Sequence, residues 1–293
     1  MSSAGDAPVL LSGLGAIAHR YAGFIVDVWG VLHDGVRAYD PARDALRRLR
    51  AAGAPVCLIS NAPRSAAAVA ARLVALGIGA DCYDHLLTSG QATIDALSDA
   101  QEPELAALGR RYYFMGPADT RSLLDGLGYS AVVDPSRATF ILNTGSEPGT
   151  DLAHYETALR TCARRALPMI CANPDLFVRI GAQQVMCAGA IARRYAALGG
   201  SVRYYGKPHP AIYRHALALM ACAPGAVLAL GDGLETDIAG ARTLGIDAGL
   251  VLGGLNADCL GRRGGEEPAR DRLQARFDRS GHRPDYIIPY LRW

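Results

Sequence analysis

Short, continuous apolar runs alternate along this chain with amphipathic stretches of helical period, which is how parallel strands covered on both faces by crossover helices read. The pattern predicts strands over 24–28, 55–60 and 86–88, separated by helices over 41–52, 64–76 and 91–97, with Gly53 and Gly77 closing the first two helices. From about Glu104 the alternation restarts: strand 111–115, helix 120–127, strand 139–143, helix 154–165, strand 169–172 and helix 189–198. The first series then resumes with strand 202–205, helix 210–221, strand 226–230, helix 236–244 and strand 249–252. An Arg/Gly/Glu-rich surface segment over 258–280 precedes a last edge strand at 286–288, flanked by Pro284 and Pro289. The fold class expected is α/β, a doubly wound parallel sheet with a smaller inserted α/β domain. Residues 1–103 and 200–293 form the larger domain in this reading, and 104–199 the insertion.

Length and composition change the picture little. The 293 residues suit two domains, half are hydrophobic, and the net charge is +2, which fits neither a disordered chain nor a nucleic-acid binder. The Arg47-Arg48 and Arg164-Arg165 pairs sit in helical stretches without interleaved aromatics and read as solvated faces. Seven scattered cysteines with no Cys-x-x-Cys pair point to a reducing, cytoplasmic setting and away from structural zinc. No signal peptide or membrane span is expected, and the Ala/Leu-rich helices leave room for a homodimer face.

The chemistry lies at the predicted strand ends, where ligands meet open α/β sheets. Asp27 ends the first strand, Ser60 and Asn61 the second, and Asp232 the strand over 226–230. Lys207 follows the strand over 202–205, and it is the only lysine among 30 basic residues. Arginine offers a planar fork, whereas lysine offers a compact charge able to stand beside both a phosphate and a carboxylate. Each residue alone would be an ordinary cap or turn former. Together they make a phosphoryl-transfer set: Asp27 as nucleophile, Asp27 and Asp232 as ligands for a hard cation such as Mg²⁺, Ser60 Oγ and the Asn61 N–H as phosphate donors, and Lys207 as neutralising charge. Asp237, near a helix start, is a cap or a support for the metal from outside its ligand shell.

The ordered motifs Asp27-x-Trp29-Gly30-Val31, Ser60-Asn61, Lys207-Pro208 and Gly231-Asp232-x-x-x-Thr236-Asp237 resemble those of the haloacid dehalogenase-like hydrolase superfamily. With Thr88 to Thr93 ahead of the insertion and Ala172-Asn173-Pro174-Asp175 within it, the chain is similar to the NagD-like, class IIA branch with a C2 cap, and to a sub-branch whose first motif reads Asp-x-Trp-Gly-Val. The resemblance spans nearly the whole chain. It implies a Rossmann-like core, hydrolysis of a small phosphorylated metabolite such as a sugar phosphate through an aspartyl-phosphate on Asp27, and the Trp29 carbonyl as a further metal ligand. Asn173 and Asp175 are implied as cap residues facing the substrate, although Asn-Pro-Asp is also an ordinary turn. Arg179 is a further candidate, for an anionic substrate tail.

One position departs from the family. Its phosphatases carry an aspartate two residues after the nucleophile as general acid and base, and here that residue is Trp29. An indole cannot move a proton at neutral pH, and losing such a group typically removes a factor of about 10² to 10⁴ in rate. Three outcomes follow: a slow or atypical phosphatase, a weakly catalytic phosphate-ligand binding or regulatory protein, or a carbon–halogen hydrolase. The retained Lys207, Asp232 and Asp237 weigh against the last. His33 and Asp34 are alternative acids that fit more naturally as turn formers.

Overall fold

A computed structural model of the chain describes residues 7–99, 102–180, 183–260 and 269–293, without the side chains of 179 and 180. The chain divides into two compact units, one of 1–60, 71–86 and 213–293, the other of 61–70 and 87–212.

The chain opens with β1 (Val9–Leu10), β2 (Gly23–Asp27), α1 (Asp40–Ala51), β3 (Val56–Ser60), α2 (Ala66–Ala75) and β4 (His85–Thr88). All five residues of both β2 and β3 are buried, as central strands between two helical layers must be. In α1, Ala42, Ala45, Leu46 and Leu49 fall at helical spacing and are the buried face, and Pro41 sits in its first turn, where no hydrogen bond is lost.

The second unit includes α3 (Ser89–Asp99) and α4 (Pro103–Ala106), followed by β5 (Arg111–Met115), β6 (Ser130–Val132), β7 (Phe140–Asn143), α5 (Leu152–Arg164) and β8 (Met169–Cys171). It continues through β9 (Phe177–Ile180), β10 (Gln183–Met186), α6 (Ala188–Ala197) and β11 (Val202–Tyr204). Its five-stranded sheet runs β11-β8-β7-β5-β6, all parallel, while β9 and β10 form a separate antiparallel pair. Alternate residues divide this sheet's two faces. Ile141, Met169 and Cys171 pack with Leu159 and Ile191 of α5 and α6, and Phe140, Leu142 and Ile170 pack with Leu97, Leu105 and Leu124.

The chain finishes with α7 (Pro210–Met220), β12 (Val227–Gly231), α8 (Ala239–Thr243), β13 (Asp247–Val251), α9 (Arg270–Ser280) and β14 (Tyr286–Ile288). The larger sheet has the order β1-β14-β13-β12-β2-β3-β4. Val26 lies opposite Leu230 and Asp27 opposite Ile59, so the carboxyl ends of β2, β3 and β12 come level.

Four expectations need correcting. The strand at 202–204 joins the smaller sheet, Val202 opposite Met169, because β8–α6–β11 is a crossover of that sheet. The strand at 286–288 is no edge, since β1 pairs outside it. The stretch over 120–127 is a 3₁₀ helix at Ala118–Leu124, and the helix expected from Thr236 opens as a single π-type turn at Leu234–Ile238. By contact, the second unit takes in 61–70 and 87–212, and α3 places Leu97 in the smaller sheet's core. An insertion at 104–199 remains a proposal about how the chain is organised.

Candidate active site

In the first unit, three carboxylates of one sign are gathered at the sheet's carboxyl end. Asp27 closes β2, Asp232 follows β12, and Asp237 lies in the π-type turn; all three are buried, and they offer oxygen atoms within 4.8 Å of one another. Glycines make this approach possible. Gly30, at φ 81°, and Gly254 both pass so close to Asp232 that a Cβ on either would overlap Oδ2, and a Cβ on Gly231 would overlap the Asp237 carboxyl group. The Leu255 N–H donates to Asp232 Oδ2 at 2.7 Å, and the Asn256 amide donates to the Asp232 carbonyl at 2.6 Å. Gly233 N–H donates to Asp237 Oδ2 at 3.0 Å, and the Tyr213 hydroxyl donates to the Asp237 carbonyl at 3.2 Å.

These residues fit a hard divalent cation. The donors are carboxylate oxygens, they are taken from water, and their mutual repulsion is what a bound cation would offset. Asp237 stands in the cluster itself, where the sequence reading gave it a choice between capping and outer support. Asn256 and the close approach of Gly254 escaped that reading. The available signal was the pair of glycines just after a buried strand.

Trp29 is partly exposed and packs edge-on against His33, with ring centroids 5.0 Å apart. Gly35, at φ 90°, is required beside it, because a Cβ would lie 2.6 Å from the indole. The two alternative acids are committed to this turn. Asp34 Oδ1 accepts from Val36 N–H at 2.8 Å and Arg37 N–H at 2.7 Å, and these bonds hold its carboxyl below the usual range. His33 Nδ1 accepts from Gly35 N–H at 2.9 Å, and burial, helped by the nearby Arg72 charge, pushes the imidazole down to about 4. At neutral pH His33 is therefore uncharged.

Ser60 is buried at the end of β3 in the first unit. The next residue opens the second unit, where Asn61, Asn173, Asp175 and Lys207 meet. Asn61 Nδ2 donates to Asp175 Oδ1 at 2.8 Å and to the Lys207 carbonyl at 3.1 Å, and Lys207 N–H donates to Asn61 Oδ1 at 2.7 Å. Asn173 Oδ1 accepts from Asp175 N–H at 3.0 Å. Lys207 and Asn61 are both buried. The Arg179 side chain lies outside the described residues.

Family models match in three overlapping segments: haloacid dehalogenase-like hydrolase over 24–130 and over 105–245, and a HAD-hydrolase-like model over 204–293. A solved haloacid dehalogenase-like hydrolase from Brucella suis is 32% identical with a TM-score of 0.79, covering 96% of this chain and 99% of that one. The chain belongs to the haloacid dehalogenase-like hydrolases, in the NagD-like class IIA branch. It is 28% identical to the ribonucleotide monophosphatase NagD of Escherichia coli, over 80% of this chain and 88% of that protein. A glycerol phosphate phosphatase from Mycobacterium tuberculosis, solved in complex with calcium, is 25% identical with a TM-score of 0.60, covering 84% and 71%. Among the described residues no helix is long and apolar enough to cross a membrane.

Proposed function

We propose that the protein is a Mg²⁺-dependent phosphatase of small phosphorylated metabolites that works through a phosphoryl group carried on Asp27. The observation that carries this reading is the buried cluster of Asp27, Asp232 and Asp237 at the sheet's carboxyl end. Relatives named as phosphatases, one of them solved with calcium, support it. Asp27, Asp232 and the Trp29 carbonyl would hold the ion, with Asp237 supporting them. A bound divalent ion supplies positive charge against which an anionic nucleophile and an anionic ester can approach.

An Asp27 oxygen attacks phosphorus, the ester oxygen leaves, and water then cleaves the acyl phosphate to release orthophosphate and regenerate the carboxylate. Ser60 Oγ and the Asn61 N–H grip phosphate oxygens, and Lys207 neutralises their charge. The loop at 173–175 belongs to the leaving-group side. Trp29 brings no proton to the departing oxygen, so esters with acidic leaving groups are the better substrates.

The test is phosphate release from a panel of sugar phosphates, glycerol phosphate, nucleoside monophosphates and an aryl phosphate, each with Mg²⁺ and with EDTA. Metal-dependent release, fastest for the aryl ester, is expected. Trp29→Asp should raise alkyl-ester rates by about tenfold or more. No release from any ester defeats the reading, and unchanged alkyl rates in the variant defeat the role given to Trp29.

A further inference from the structure

Both donors of the Asn61 carboxamide are committed. Its oxygen accepts the Lys207 N–H, and the two hydrogens of Nδ2 go to the Lys207 carbonyl and to Asp175 Oδ1. One side chain thus grips both backbone polar groups of a residue 146 positions away, much as a neighbouring strand would. Nothing on that side chain is left for a phosphate oxygen.

The surroundings are built to the same end. Gly206, at φ 112°, passes so close to Asn61 that a Cβ would overlap Oδ1, and the same Cβ would lie 2.9 Å from Ser89 Cβ and 3.1 Å from Pro174 Cδ. Ser89 Oγ bonds the carbonyls of Ala62 at 3.0 Å and Ala172 at 2.6 Å. The Asp175 carbonyl accepts from Gly189 N–H at 3.0 Å, which ties the loop's far side to the start of α6. Asn61, Lys207 and the 173–175 loop are therefore joined through one amide.

We infer that Asn61 is a positioning residue that sets the backbone of Lys207, and that Asp175 acts through Asn61 and not by reading the leaving group. This rests on the phosphatase reading for its catalytic consequence but not for the clamp itself. Asn61→Asp removes both donors and sets two carboxylates at hydrogen-bonding distance. It should lower kcat by about 10²-fold with little change in KM, the signature of a charge held off its working position. Asp175→Asn keeps an acceptor for Asn61 and should cost only a few-fold. In the double variant the residue at 175 can donate to the one at 61, so kcat should recover by about tenfold over Asn61→Asp. Asp175→Ala, which buries no new charge, should lower kcat by one common factor for sugar, glycerol and aryl phosphates.

The double-variant cycle is also read in urea unfolding, which needs no substrate. Coupling in unfolding and in kcat supports the proposal. Coupling in unfolding alone makes the amide merely structural and overturns it, as does additivity in both. Asp175→Ala effects that differ by tenfold or more between esters also overturn it, by making Asp175 a direct reader. Should Asn61→Asp fail to fold, Asp175→Ala alone decides through that common factor. If the wild type releases no phosphate from any ester, the phosphatase reading falls, and with it the catalytic role of the clamp, while the unfolding cycle still reports whether the clamp exists.

Discussion

The two units solve the same problem of polar groups at strand ends in opposite ways. In the first, Asp27, Asp232 and Asp237 bring carboxylate oxygens within 4.8 Å of one another, with glycines leaving room for the Asp232 and Asp237 side chains. In the second, Asn61, Lys207 and Asp175 match donors to acceptors until both amide hydrogens are used. Like charges in a buried site cost folding energy, whereas a satisfied network contributes to it. Under the proposed function, the difference separates a carboxylate cluster shaped for a ligand from an amide that holds the chain still.

The most severe test of that contrast is Asp27→Asn. Phosphate release should fall by at least about 10³-fold, since the proposed nucleophile is lost. Added Mg²⁺ should raise the melting temperature of the wild type by more than that of the variant, because one of the three carboxylates that could face the ion is gone. An equal rise in both would erase the contrast with Asn61→Asp, whose response to Mg²⁺ should match that of the wild type.

Next comes Gly254→Ala. The new methyl would overlap Asp232 Oδ2, so the carboxylate or the loop must move. Calorimetric titration should show metal affinity lowered by about 10- to 100-fold, as when a ligand loses its orientation. Overpacking should also cost about 1–3 kcal/mol in urea unfolding. Unchanged affinity would mean that the close approach does not shape the cluster.

His33 extends the comparison to pH. Its pKa is about 4 in the fold against an ordinary 6.5, and burial is the main cause. Between those values the unfolded chain takes up a proton that the folded one refuses. Stability is thus full above pH 6.5 and declines as pH falls through that window, by on the order of 3 kcal/mol for a shift of this size. His33→Asn, which keeps an acceptor for Gly35 N–H, should flatten the decline in urea unfolding measured from pH 7 to pH 4. A parallel decline in both proteins would assign the acid sensitivity elsewhere.

Which parts of this were legible in the chain follows from how local each signal is. The continuous apolar runs of β2, β3 and β12 gave away buried parallel strands, and the carboxylates at their ends were found by position alone. The strand at Val202–Tyr204 was misplaced because strands of two parallel sheets look alike, and membership is decided by a partner, Met169, more than thirty residues away. The pair β9 and β10 was missed because Gln183 and Gln184 break any apolar alternation. Asn61 was recognised as polar chemistry at a strand end, yet its side-chain bonds to Lys207 and Asp175 reach across 146 and 114 positions, where no local pattern can point.

The smallest effect belongs to the outer face of the second unit, and it separates charge matching from the buried clamp. Glu156 faces Arg194 at 2.5 Å and Arg160 at 2.6 Å, and these partners, Arg194 foremost, hold its carboxyl down to about 2 from an ordinary 4.5. The group is partly exposed and its partners reach into water, so screening removes most of the benefit. Glu156→Gln should lower the melting temperature by only about one or two degrees at neutral pH. A depressed carboxylate contributes above its unfolded pKa and loses the contribution as pH falls through the folded one. The gap between wild type and variant should therefore be constant above pH 4.5, close as pH falls toward 2, and shrink at neutral pH when salt is raised to about 0.5 M. A gap that survives both treatments would mean that Glu156 stabilises the helix pair by packing, and would bring this exposed pair closer in kind to the Asn61 amide than its solvent exposure allows.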